Sequence, residues 1–265
     1  MSDAYSSGRD GKHPGKRLDI APFSRLLPET LHMLAAIYQV RSYHPGQTVT
    51  MAGETASFVG FVQSGILRMQ KSLPGGRRHI VALLMDGDMF GRIFNGPMPY
   101  AIEAAVDSQV LCFPRGAFES LVLKAPDLDR MVMLEFLHEI DRSRDWMIVL
   151  GNPRVRGRIG AFLIVLCTRY RKRPQVILER DGELLVQLPV GRQDIADLLG
   201  TRTESISRAL HALQDDGILR LLRPDLILIR DLHALAQEAG GDSPDELSGL
   251  PELLAGIAGA QNRSR

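Results

Sequence analysis

Residues 126–150, PDLDRMVMLEFLHEIDRSRDWMIVL, run 25 residues without a glycine or an internal proline, and no other segment limits the fold so strongly. Apolar residues recur in it at helical spacing: Met133, Leu137 and Ile140 follow one another by four and three. Pro126 and Asp127 suit the opening of a helix. GNP at 151–153 breaks it and supplies a hinge. A helix of this length, roughly 37 Å at 1.5 Å per residue, is too long to lie wholly against one small domain. Trp146, Val149 and Leu150 form a second apolar group along it. Pairing with a second copy of the chain is therefore expected, through Met133, Leu137 and Ile140, in preference to packing within the chain.

The sequence has a different texture on each side of this segment. From Tyr43 to Pro114, short runs of Val, Ile, Leu and Met are punctuated by PGQTV, AGETA, QSGILRMQ, PGGRRHIVALL and DGDMFG. Short strands at such spacing predict a β-sandwich or a jelly-roll barrel. LPGGRRH reads as a hairpin tip between the arms LRMQKSL and HIVALLM. After the hinge, residues 154–172 predict an amphipathic helix with Ile159, Phe162, Leu163 and Leu166 on its apolar side. A short strand, ELLVQL, follows, and then two short helices, GRQDIADLL and TESISRALHALQDDG, separated by Gly200 and the few residues after it. Ile195, Ala196, Leu199, Ile206 and Leu210 are available to pack between them, which is the signature of a helix-turn-helix. GILRLLRPDLILIRD adds two strand segments around RPD, the makings of a wing. No internal repeat is present. The class is α+β.

Charge and composition narrow the function. The net charge is only +1, but residues 151–230 hold 14 Lys and Arg against 9 Asp and Glu, a balance of +5, whereas the rest holds 18 against 22, a balance of −4. A basic C-terminal half points to phosphate. No apolar run approaches the roughly 20 residues that span a bilayer, and the polar start MSDAYSSGRDGKHPGK is no secretory signal. Cys112 and Cys167, each inside an apolar run, exclude a disulfide framework and predict buried thiols in a reducing cytoplasm. No Walker loop, nucleophile elbow or HExxH pair is found, so an enzyme is not expected.

At this point the sequence resembles the CRP/FNR superfamily of transcription regulators, over about residues 25–238. LPVGRQDIADLLGTRTESISRALHALQDDGIL is similar to that family's helix-turn-helix, VRGRIGAFLIVL to the helix opening its DNA domain, and HPGQTVTMAGE, FVQSGILRMQ and DGDMFG to the glycine landmarks of its cyclic-nucleotide-type barrel. ILIRDLHALAQEAG looks like the end of the FNR branch. The resemblance implies a disordered tail over 1–22, a sensor jelly roll over 23–125 and a dimerisation helix with its hinge over 126–152. A winged helix-turn-helix over 153–238 and a C-terminal extension over 239–265 complete it. It also implies a homodimer on a palindromic site in double-stranded DNA, with RNA polymerase as a protein partner.

The FNR and FixK branch carries a Glu-x-x-Ser-Arg pattern on its recognition helix, and Glu204, Ser207 and Arg208 match it position by position. At i, i+3 and i+4 these side chains share one helix face. The resemblance implies a TTGAT-type inverted repeat as target. Arg208 suits a bidentate bond to guanine O6 and N7, and Glu204 suits a cytosine amine. Ser207 is small enough for close approach to a thymine. Arg192, Gln193, Thr201, Arg202 and Thr203, near the helix starts, are expected to hold phosphates or support the row. A merely solvated helix face is the plainer alternative, and so is a winged helix that contacts protein.

The sensor departs from the family. Arg92 stands where a ribose-binding glutamate is expected, and the arginine-serine position falls near Pro99 and Tyr100, so control by cyclic AMP is not expected. With no cysteine before Cys112, an iron–sulfur cluster of four thiolates is excluded. A haem or nitric-oxide sensor, with His32, His44, His79 or His138 as a haem axial ligand, is the alternative to the favoured reading, in which no cofactor and no effector are needed.

Overall fold

The computed structural model describes residues 18–240 apart from 73–75, 77, 95, 172, 174, 181 and 182. The expected tail up to residue 17, most of the hairpin tip and the C-terminal extension beyond 240 lie outside the described residues. Two compact units divide between Glu139 and Ile140.

The first unit is the expected jelly roll. Strands β1 (Gln39–Tyr43), β2 (Thr48–Thr50), β3 (Phe58–Ser64), β4 (Leu67–Ser72), β5 (Arg78–Leu84), β6 (Met89–Phe90), β7 (Ala101–Ala104) and β8 (Ser108–Pro114) form two antiparallel sheets. Their orders are β1-β8-β3-β6 and β2-β7-β4-β5. Side chains alternate across a strand, and both faces of the first sheet are covered. Phe58, Val62, Val110 and Cys112 face Leu67, Leu84 and Ile102 in a core formed with the second sheet. Val59, Phe61, Leu111 and Phe113 point the other way, against helices. Coverage on both sides explains why FVGFV and VLCF are continuous apolar runs rather than alternating ones. The arms of the expected hairpin are β4 and β5, paired from Leu67 with Leu84 to Ser72 with Arg78.

The helices against that face are α1 (Pro28–Ala35), α2 (Arg115–Val122) and the first turns of α3 (Pro126–Gly151). Ahead of them, Ala21–Arg25 form a 3₁₀ turn. With three residues per turn, Ile20, Phe23 and Leu26 fall on one side, and all three enter the core. The Phe23 ring lies 4.8 Å from that of Phe61. Residues 18–22 thus pack with the sensor unit, although the tail was expected to run to residue 22. Asp127 reaches back across the chain: its carboxylate accepts the Leu27 amide at 2.8 Å and the Thr30 hydroxyl at 2.9 Å, closing the N-terminus of α1.

Three environments succeed one another along α3. Leu128, Met131 and Val132 are buried in the first unit. Met133, Leu137 and Ile140 are 57, 51 and 47% exposed. Further on, the Trp146 ring stacks on Phe162 at 6.1 Å and Val149 is buried, both within the second unit, while Leu150 is exposed. The second apolar group therefore splits between core and surface.

The second unit contains α4 (Val155–Arg169), β9 (Ile177–Arg180), β10 (Glu183–Gln187), α5 (Arg192–Leu198), α6 (Thr203–Asp215), β11 (Leu219–Arg223), β12 (Leu226–Ile229) and α7 (Leu232–Gly240). The four strands make one antiparallel sheet in the order β11-β12-β10-β9. Helix α4 is shorter than expected and is not amphipathic: all residues from Ile159 to Cys167 are buried, because α6 packs on one side and α7 on another. Gly160 makes the second approach close, since a Cβ there would meet the Leu235 carbonyl at 3.3 Å. At the chain break, Asn152 is held within this unit. Its amide donates to the Ala239 carbonyl at 3.2 Å and its Oδ1 accepts the Arg154 amide at 3.0 Å.

Candidate nucleic-acid interface

Helices α5 and α6 are joined by four residues, with Gly200 at φ +65°, in the left-handed region that costs glycine least. The Thr201 amide donates to the Ala196 carbonyl at 2.9 Å and tightens the turn. Ile195, Ala196, Leu199, Ile206 and Leu210 are all buried between the helices, as their spacing required. The apolar face of α6 is thereby spent, and its angle to α5 is fixed by packing.

The opposite face of α6 is open. Arg202, Glu204, Arg208 and His211 are exposed, and Ser207 is half-buried among them. The three residues of the proposed row are together: the Arg208 guanidinium pairs with the Glu204 carboxylate, with side chains 79 and 70% exposed, and Ser207 lies beside them. An ion pair so exposed contributes about 0.5 kcal/mol, so both groups are available to a stronger partner. Thr203, at the first turn of α6, donates its hydroxyl to Gln193 Oε1 at 2.6 Å, and the Gln193 amide donates to Asp197 at 2.9 Å. Gln193 and Thr203 thus brace the two helices. Arg202 is exposed at the N-terminus of α6, whose uncapped amides favour an anion.

Arg192 is placed differently. It opens α5 half-buried, with Nη1 donating to Ser207 Oγ at 3.1 Å and Nη2 to the Pro224 carbonyl at 3.3 Å. Pro224 sits in the turn between β11 and β12, the wing foreseen around RPD. Asp225 in that turn accepts from the Gln187 amide at 2.7 Å, and that bond, ahead of the nearby Arg223, holds its carboxyl below the ordinary carboxylate range.

Two supporting side chains escaped the sequence reading. Arg158 on α4 donates to the Leu199 carbonyl in the turn at 3.0 Å and to the Asn152 carbonyl at 2.8 Å. Arg156 pairs with Asp216, just beyond α6, and with Glu238 on α7 at 2.8 Å. Leu199, Asp216 and Glu238 lie tens of positions from these arginines, so no periodicity could reveal those contacts.

In the sensor unit, Arg92 Nε donates to the Pro97 carbonyl at 3.3 Å. Met98 is buried in the core between the sheets, beside exposed Pro99 and half-buried Tyr100. Residues 92, 99 and 100, singled out from the sequence, are thus an arginine bonded within its own loop, an exposed proline and a half-buried tyrosine. His32 is exposed, His44 is an exposed partner of Asp107, His79 is half-buried on β5 and His138 is half-exposed beside Glu135. Cys112 and Cys167 are buried, as expected, and burial pushes the Cys167 thiol up, away from the reactive thiolate.

Comparison with known proteins agrees with this arrangement. The Cyclic nucleotide-binding domain family matches residues 40–125, and the Crp-like helix-turn-helix domain family matches residues 157–238. The transcriptional activator protein FnrL of Cereibacter sphaeroides is 34% identical over 223 residues, covering 84% of this chain and 88% of that protein. The nitrogen fixation regulation protein FixK of Bradyrhizobium diazoefficiens is 28% identical, over 71% of this chain and 76% of that one. The structure of FixK2 from Bradyrhizobium japonicum superposes with a TM-score of 0.68 at 28% identity, covering 78% of this chain and all of that one. A barrel with the cyclic-nucleotide-binding pattern, a long helix and a winged helix-turn-helix, matched along most of their length by these regulators, place the chain in the CRP/FNR family of DNA-binding transcription regulators.

Proposed function

We propose that this protein is a homodimeric regulator of the FNR and FixK type that reads a TTGAT-like inverted repeat in double-stranded DNA. The row of Glu204, Ser207 and Arg208 on the open face of α6 carries this reading. Arg208 bonds guanine O6 and N7, Glu204 accepts from a cytosine amine, and Ser207 approaches a thymine. Arg202 and the first amides of α6 hold phosphate, while Gln193, Thr201 and Thr203 set the helix against α5. The exposed stripe of Met133, Leu137 and Ile140 supports pairing about a two-fold axis. The protein acts in the cytoplasm with RNA polymerase as its protein partner, and it catalyses no reaction.

Arg92 and the sequence around Pro99 support control without cyclic AMP, and no haem or iron–sulfur cluster is invoked. The test is binding of the purified protein to a TTGAT-type palindrome and to single-base variants across a salt series, with and without cyclic AMP. Preference for the palindrome, a steep salt slope and no response to the nucleotide are expected. Equal affinity for all sequences would overturn the base-reading role, and a cyclic AMP requirement would overturn the account of the sensor.

A further inference from the structure

A serine hydroxyl has one hydrogen to donate and lone pairs with which to accept, so on its own it reads donors and acceptors alike. Ser207 is not on its own. Arg192 Nη1 donates to its oxygen at 3.1 Å. A guanidinium has no acceptor, so the hydroxyl hydrogen must be directed elsewhere. Among the described residues, none accepts it. Ser207 is therefore presented with one lone pair engaged and its hydrogen unspent. In the major groove that favours an acceptor, such as thymine O4 or a purine N7, over an exocyclic amine.

The same guanidinium ties this arrangement to the wing. Its other terminal nitrogen donates to the Pro224 carbonyl at 3.3 Å, 32 positions along the chain. One planar fork thus joins α5, the recognition helix and the β11–β12 turn. Lysine keeps the charge but lacks the two-ended planar geometry. From this we propose that Arg192 is a positioning residue for base recognition: it fixes Ser207 as an outward hydrogen-bond donor and locks α6 to the wing, instead of serving to neutralise a phosphate.

The proposal rests on the base-reading role of Ser207, and the experiment separates the two. Binding of full-length wild type, Ser207→Ala, Arg192→Ala, Arg192→Lys and the Arg192→Ala/Ser207→Ala pair is measured on the palindrome and its single-base variants across salt. Thermal unfolding of each variant reports folding, and Arg192→Lys retains a charged, long side chain if the alanine variant folds poorly. Ser207→Ala is expected to lose preference at one base pair by roughly 3- to 10-fold, the worth of one hydrogen bond. Both Arg192 variants should lose preference at that same base pair with the salt slope unchanged, and the double variant should lose no more. If Arg192→Ala instead weakens every sequence alike and lowers the salt slope by about one, with Arg192→Lys restoring binding, Arg192 is a phosphate clamp and the proposal is overturned while Ser207 keeps its role. If Ser207→Ala changes no base preference, the role of Ser207 fails first and the proposal falls with it.

Discussion

Arg208 and Glu204 hold each other in the free protein, and that pairing sets what each substitution should do. The pair is exposed on both sides, so opening it costs well under the gain from a bidentate guanine contact. Arg208→Ala should therefore cost roughly 1–3 kcal/mol on the palindrome and relax preference at one base pair only. Glu204→Ala follows another rule: the carboxylate opposes nearby phosphates while accepting from the correct base. Its loss should reduce discrimination more than affinity, and free Arg208 to tighten binding to random DNA. Competition binding against single-base variants separates these outcomes, and an Arg208→Ala effect equal on all sequences would make that residue a phosphate contact. This row was legible in the sequence because one helix turn brings i, i+3 and i+4 together. The bonds of Arg192 to Ser207 and Pro224 were not, because they depend on how three elements pack.

At the scale of elements, local rules succeeded for several units whose parts are close in sequence, although β9, which pairs with the adjacent β10, was not foreseen. The hairpin of β4 and β5, the helix-turn-helix and the wing were all readable from turn residues and apolar spacing. Helix α4 was misread as amphipathic because its covering partners, α6 and α7, come from much later in the chain. The start of α1 shows the same limit: its capping carboxylate is Asp127, 100 positions away from Leu27. Asp127→Ala should leave the Leu27 amide and the Thr30 hydroxyl without their partner, at about 1 kcal/mol. Burial alone would raise the Asp127 carboxyl, but the hydrogen bonds from Leu27 and Thr30 outweigh it and hold it below its ordinary value. A carboxyl lowered by folding contributes stability that is present above its ordinary value and lost as pH falls through its lowered one. Denaturant unfolding of wild type and Asp127→Ala should thus differ at neutral pH and converge in strong acid. A difference that persisted unchanged however far the pH was lowered would exclude the capping account.

For the whole molecule, the decisive feature is the middle of α3. Its first turns are buried in the first unit and its last turns in the second, yet Met133, Leu137 and Ile140 between them remain about half exposed. An apolar stripe at a spacing of four and three matches the seam of two helices packed side by side. A two-fold axis along that seam would give two copies of α6, as a palindrome requires. Burying each such side chain is worth about 1.5–3 kcal/mol relative to full exposure, and half of that, repeated over both copies, is enough to decide association. Charge placed in the seam would face its own copy across the axis and repel it. Met133→Glu and Leu137→Glu should therefore shift the protein to monomer in analytical ultracentrifugation and weaken palindrome binding in parallel. The unfolding midpoint of the isolated protomer should scarcely change, because both side chains are already open to water. The outcome that defeats this account is a wild-type protein that stays monomeric at the concentrations where it binds the palindrome tightly.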